Sequence, residues 1–188
     1  MMIEQNKKTI LTLLSKVSRP GMKELVEFLN ESDFFTAPAS TKYHSSYEGG
    51  LAQHSLNVAK LFSKKCKDFK IDISNDSILI CGLLHDFCKV NFYEKKKKWV
   101  KENDVWHEEE VWGVNNKEPL GHGEKSVILI QNFIKLSLQE QALIRWHMGP
   151  FDMNDKKSYY DVTNKFPEVV LLFTSDYESS IIIEEDKK

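Results

Sequence analysis

The sequence predicts an all-α fold interrupted by one small β-hairpin. Three observations carry this. Apolar residues recur at helical spacing along most of the chain, stop signals cut that pattern into short segments, and a single window, Asn91 to Asn116, is rich in β-formers instead. With 188 residues, 41% of them apolar, the chain suits one domain, or one domain with a short appendage.

The elements follow in order. Ile10, Leu11, Leu13, Leu14 and Val17 give Thr9 to Val17 a helical period, and Ser18-Arg19-Pro20-Gly21 stops it. Met22 to Leu29 makes a second short helix. Phe34 to Gly50 has no regular period and contains Pro38, Gly49 and Gly50, so it reads as a long loop of the kind that is often functional. Leu51 to Phe62 is helical, with His54 near its start, and Ser77 to Lys89 is a markedly apolar helix that ends on the doublet His85-Asp86. In Asn91 to Asn116, the β-formers Tyr93, Trp99, Val100, Val105, Trp106, Val111 and Trp112 flank Glu102-Asn103-Asp104, which reads as a turn. The run Lys95 to Lys98 then lies on one strand and Glu108 to Glu110 on the other, so cross-strand pairing is expected. Base stacking on the three Trp rings stays open as a second use of the hairpin. A helix from His122 or Gly123 to about Ile134 follows. Ser137 with Glu140 forms a capping box for a helix that runs to about His147, where Gly149-Pro150 stops it. Phe151 to Thr163 reads as a loop with one helical turn, Glu168 to Ile182 as the last helix, and residues 184–188 as a frayed tail.

Composition excludes several classes. The net charge is -2, so no global basic field points to nucleic acid. No apolar run approaches the roughly 20 residues that span a bilayer, and Met1 to Lys8 does not read as a signal peptide. Cys66, Cys81 and Cys88 lack metal-type spacing and read as reduced thiols in a cytoplasmic protein; Cys88 reads as a core residue, with reactivity as the alternative.

The doublet is the strongest chemical signal. A carboxylate and an imidazole at the end of an apolar helix are costly to bury without compensation, and a metal cation compensates well. His54, His122, His147 and Asp176 also lie on predicted helices, the histidines near helix ends. Nitrogen and carboxylate donors of this kind suit Fe, Mn, Zn, Co or Ni.

The order His54, His85-Asp86, Asp176 resembles the HD superfamily of metal-dependent phosphohydrolases. The resemblance rests on Gly-Gly-Leu-x-x-His (Gly49 to His54), Leu-Leu-His-Asp-x-x-Lys (Leu83 to Lys89) and the late Ser175-Asp176 with Glu178. His122 in Gly-His-Gly-Glu-Lys-Ser and His147 in Ile-Arg-Trp-His are similar to the two extra histidines of the two-metal subset, which includes dinucleoside-polyphosphate hydrolases and cyclic-dinucleotide phosphodiesterases. Thr41-Lys42-Tyr43-His44 is similar, more loosely, to the HD domain of some bacterial 3′–5′ exoribonucleases, without an OB-fold-like segment, and the Gly-Tyr-Pro signature of cyclic-di-GMP phosphodiesterases is lacking.

The resemblance implies an HD-domain helical bundle at residues 41–183, an N-terminal helical extension at 1–40, and the hairpin at about 91–116 as an insertion. It implies two divalent transition-metal ions (Fe, Mn, Co or Ni, with Zn as a further choice). His54, His85, Asp86 and Asp176 would hold one, and Asp86 would bridge to a second held by His122 and His147. The expected substrate is a small phosphorylated molecule of nucleotide type, with nucleic acid only as a short single strand. Two cations about 3.5–4 Å apart lower the pKa of a shared water to near neutrality. Lys89, three residues after Asp86, is assigned to a substrate phosphate, with a solvated helix-end lysine as the alternative. Arg145 is a weaker phosphate candidate. Tyr43 and His44 either orient substrate, supply a general acid or lie at the surface, and Glu124 and Glu178 are candidate partners for imidazole N–H groups. Two other readings stay open: a di-iron oxygenase on the same ligand set, and a non-catalytic, metal-stabilised nucleotide sensor.

Overall fold

The computed structural model describes residues 2–152 and 156–184; residues 185–188 of the frayed tail expected at 184–188, and part of the loop expected at Phe151 to Thr163, lie outside them. Eight α-helices in the described residues surround one hydrophobic core, and a two-stranded antiparallel sheet stands apart from them. None of these helices is long and apolar enough to cross a membrane.

Helix α1 spans Met2–Leu14 and starts well before the expected Thr9. Its polar first turns are held by tertiary contact: Asn6 is buried and its amide donates to Gln53 at 3.0 Å. Helix α2 spans Met22–Glu31. Ile10, Leu14, Leu25 and Leu29 from these helices are fully buried in the same core as Leu51, Phe62, Leu83 and Leu84.

The predicted loop after α2 opens with a 3-10 turn, Asp33–Phe35, that buries both Phe34 and Phe35. Gly49 turns the chain with φ of 84° into α3, Gly50–Asp68. Helix α4, Asn75–Leu84, is capped by Ser74, whose hydroxyl accepts from Ser77 N–H at 3.0 Å. It is apolar nearly all round because it is packed on several sides, among α1, α3 and the helix Leu138–Arg145. At Gly82 a methyl group would lie 2.6 Å from Ala59 Cα, so only glycine lets α4 sit this close to α3.

The helix expected to run through the doublet to Lys89 ends earlier. His85 caps α4, Asp86 leaves the helical region with φ of -95° and ψ of 24°, and Phe87–Lys89 forms a 3-10 turn. Strands β1 (Tyr93–Glu102) and β2 (Val105–Val114) pair from Tyr93↔Val114 to Glu102↔Val105. Asn103 and Asp104 both have positive φ, as a two-residue type I′ turn requires. Lys97 faces Glu110 and Lys98 faces Glu109, and Lys97 Nζ lies 2.8 Å from Glu108 on the diagonal, which realises the expected cross-strand pairing.

Helix α5 is His122–Gln131, and α6 is Leu138–Arg145 with its capping box complete. Glu140 of that box does more than cap. It is fully buried, Arg19 pairs with it at 2.7 Å, and Ser77 Oγ donates to it at 2.8 Å, so it ties α6 to α4 and to the turn after α1. Helix α7, Lys156–Lys165, replaces part of the expected loop. Only Tyr159, Val162 and the adjacent Phe166 are core-facing, too sparse a pattern to announce a helix; the Tyr159 ring rests 5.4 Å from Trp146. Helix α8 is Glu168–Glu178, and the chain then widens into a π turn, Ser179–Ile183, rather than continuing as α-helix.

Candidate metal centre

Five of the six histidines meet in one place, together with Asp86, Asp176 and Glu184. Each arrives on a different structural device. His54 lies in the first half of α3, and His85 ends α4. The break after α4 turns Asp86 back beneath them. His122 is the first residue of α5, and His147 follows the end of α6. Gly123 lets these last two approach, because a methyl there would lie 2.1 Å from Arg145 O. Asp176 comes from the last turn of α8.

Hydrogen bonds at Nδ1 aim the imidazoles. His85 Nδ1 donates to Gly82 O at 3.0 Å, and His147 Nδ1 donates to Ile144 O. His54 Nδ1 faces both oxygens of Glu184 at 3.1 Å. All three Nε2 atoms therefore point inward. His54 Nε2 lies 3.0 Å from Asp176 Oδ1, 3.7 Å from Asp86 Oδ2 and 3.2 Å from His85 Nε2. Asp86 Oδ1 meets the other pair: His122 Nε2 at 2.6 Å and His147 Nε2 at 3.5 Å. The two oxygens of Asp86 thus face two histidine groups, His54 with His85 on one side and His122 with His147 on the other.

This arrangement fits divalent cations. With both Nδ1 atoms donating, neutral His54 and His85 would set lone pair against lone pair at 3.2 Å unless a cation stands between them. His147 Nε2 is buried and makes no hydrogen bond. Buried carboxylates and inward imidazole nitrogens are the donor set of a transition-metal site.

Electrostatics show the same strain with protons as the only cations. Burial disfavours charge throughout, yet hydrogen bonds to Asp176 and Glu184 overcome it and raise His54 to about 9. Burial is likewise overcome at His122, where Asp86 and Cys88 raise the ring to about 10. Burial wins at His85, which falls to about 3. Asp86 resists its burial through Lys89 and the surrounding histidines, and Asp176 through His54; both are held below the usual carboxylate range.

The remaining candidates divide. Lys89 Nζ lies 2.6 Å from Asp86 Oδ2, at the mouth of the cluster. His44 is beside it: its ring is 4.9 Å from His54, its Nε2 is buried without a hydrogen bond, and burial, then His54 and Lys89, lower it to about 4. A ring so lowered favours its neutral form. Tyr43 is 82% exposed and lies in the same loop. Arg145 pairs with Glu124 and lies over the Trp146 ring at 4.7 Å, outside the converged groups. Glu124 is therefore engaged by Arg145, and Glu178 by Lys65 at 2.8 Å, so neither backs an imidazole.

The carboxylate that does so is Glu184, which the sequence reading placed in a frayed tail. It is buried, with hydrogen bonds from Ser45 and Asn57 at 2.8 Å each. The available signal was a carboxylate closing the apolar run Ile181-Ile182-Ile183, the same kind of contrast that marks His85-Asp86. Cys88 is buried as expected, and its Sγ lies 3.4 Å from His122 Nδ1, a contact the sequence did not suggest.

Comparison with known proteins gives a family and two partial relatives. Residues 51–181 match the HD domain family. A dihydroneopterin 2',3'-cyclic phosphate phosphodiesterase of Methanocaldococcus jannaschii is 30% identical over 100 residues, 50% of this chain and 38% of that protein. The 3'-5' exoribonuclease YhaM of Bacillus subtilis is 29% identical over 85 residues, 44% of this chain and 27% of that protein. The chain thus spans less than half the length of either relative. No solved structure matches it.

Proposed function

The chain belongs to the HD domain family, and from that premise we propose a metal-dependent phosphohydrolase that cleaves a phosphoester or phosphoanhydride bond of a nucleotide-type substrate. The observation that carries this reading is Asp86, whose two carboxylate oxygens face two separate histidine groups. In this reading His54, His85, Asp86 and Asp176 hold one divalent transition metal, and Asp86, His122 and His147 hold a second, with Fe, Mn, Co or Ni the best match and Zn acceptable. In the same reading residues 41–183 form the HD domain and 1–40 an extension packed on it. The names of both relatives imply a phosphodiester substrate, which supports a nucleotide, dinucleotide or short oligonucleotide here.

When bound, the cations supply Lewis acidity and an acidified water. The chain's own residues do the rest. Asp86 keeps its negative charge in a buried setting because cations surround it. Lys89 holds a proton firmly, since the attraction of Asp86 outweighs burial. Its ammonium at the mouth of the cluster can transfer its contact to an incoming phosphoryl oxygen, an exchange of one anionic partner for another. His44, neutral beside it, accepts a hydrogen bond from substrate and so orients it. The walls of α3, α4 and α8 exclude bulk water, which strengthens these interactions.

The test is metal analysis of anaerobically purified protein, followed by a phosphate-release screen over nucleotides, dinucleotides and short oligonucleotides. About two transition-metal equivalents with anaerobic turnover are expected. Metal-free protein would end this reading; nucleotide binding without turnover across several metals would replace it with a metal-stabilised sensor, and turnover only with oxygen with an oxygenase.

A further inference from the structure

Resting on the metal-centre reading above, we infer that Glu184 is a positioning residue for His54 and sets the first metal site apart from the second. The three aimed imidazoles of the cluster are not backed alike. His85 and His147 lean on neutral backbone carbonyls, Gly82 O and Ile144 O. His54 leans on a carboxylate, with both Glu184 oxygens 3.1 Å from Nδ1. A carboxylate behind a metal-binding imidazole fixes its tautomer and ring orientation and raises its basicity as a ligand.

The surroundings of Glu184 are built for this. Asn57, one turn after His54 on α3, donates to Oε1 at 2.8 Å, and Ser45, in the loop before α3, donates to Oε2 at 2.8 Å. Ser45 is itself fully buried and sits in a left-handed conformation with φ of 45°. These bonds hold the carboxylate in one orientation at the back of His54. The π turn explains how it gets there. Glu184 N–H donates to Ser179 O at 2.9 Å, an i→i+5 closure that takes up one residue more than an α-turn. Because of it, the segment α8 plus π turn delivers two carboxylates to one ring: Asp176 at Nε2 and Glu184 at Nδ1. His54 is thereby clamped from both ends by a single stretch of chain.

The consequence is unequal affinity. The site containing His54 should bind its ion more tightly than the site of His122 and His147. Glu184→Gln keeps the size of the side chain and its capacity to accept from Asn57 or Ser45, and removes the charge behind His54. Titration of metal-free full-length protein with Mn(II) or Co(II), read by calorimetry, should show two classes of site in the wild type. In Glu184→Gln the tighter class should weaken 10- to 100-fold, while the weaker class stays in place. An unchanged tight class, or equal weakening of both, would overturn the inference while leaving the phosphohydrolase reading intact. A wild type that takes up no metal would overturn both. If Glu184→Gln folds poorly, Ser45→Ala loosens Glu184 without touching His54; a several-fold loss in the tight class is expected, and no loss counts against the inference.

Discussion

Charge is concentrated in two regions of this molecule, the buried cluster around Asp86 and the solvated hairpin β1–β2, and the two use it in opposite ways. In the hairpin, Lys97 and Glu108 are 69% and 39% exposed and their pairing competes with water. Around Asp86 the groups are almost wholly buried, Coulomb interactions are only weakly screened, and each group shifts the titration of its neighbours. The same residue types are therefore worth little on the strand surface and a great deal between α3, α4 and α8. Burying so many polar groups is unfavourable for folding alone, so their convergence points to chemistry.

Four substitutions sharpen this contrast. The largest effect is expected for Asp86→Ala, which removes the one carboxylate shared by both histidine groups. Metal content and turnover should both be lost; wild-type rates would end the two-site scheme. His122→Ala should reduce metal stoichiometry from two towards one, measured on the purified protein, and unchanged stoichiometry would remove His122 from the site.

The third concerns a buried charge outside the metal centre. Glu140→Gln should destabilise by about 3 kcal/mol, since it leaves Arg19 without its buried partner. Against burial, hydrogen bonds from Arg19, Ser137 and Ser77 hold the Glu140 carboxyl below its ordinary value of 4.5. The unfolded state therefore takes up the proton first as pH falls. The stabilisation is full above about pH 4.5 and is lost as pH drops through the lower folded value. The gap in denaturation midpoint between wild type and Glu140→Gln should accordingly narrow below that pH. The smallest effect is expected in the hairpin: Glu108→Gln should change stability by less than about 1 kcal/mol, and less again at high salt. A large loss there would mean that exposed and buried charge do not differ as argued.

Much of this was legible before folding. The hairpin could be read because its signals are local: β-formers, a turn of Asn103-Asp104 and opposed charge runs act within 26 residues, Asn91 to Asn116. The capping box at Ser137 and Glu140 is equally local. His85, Asp86 and Asp176 stood out because ionisable groups among apolar helix neighbours violate the solvation rule that those neighbours obey, and His54, His122 and His147 through their places near helix ends and their resemblance to the HD motifs. Other features depended on partners far away in sequence. Helix α7 carries few apolar residues, and its packing on Trp146 and α8 decides its form. Arg145 and Glu124 each looked available for the site until the approach of α5 to α6 paired them with each other.

By itself, then, the sequence determined which residues could not rest comfortably alone in a helical core, and so the identity of the ligand candidates. Only the tertiary structure decided their orientation and support: which nitrogen of each ring points inward, which helix breaks after His85, and that Glu184 stands behind His54. The physical reason is range. Desolvation is a property of a residue and its nearest neighbours, whereas a hydrogen bond such as that between Glu184 and His54 joins positions 130 residues apart and exists only once the chain has closed around them.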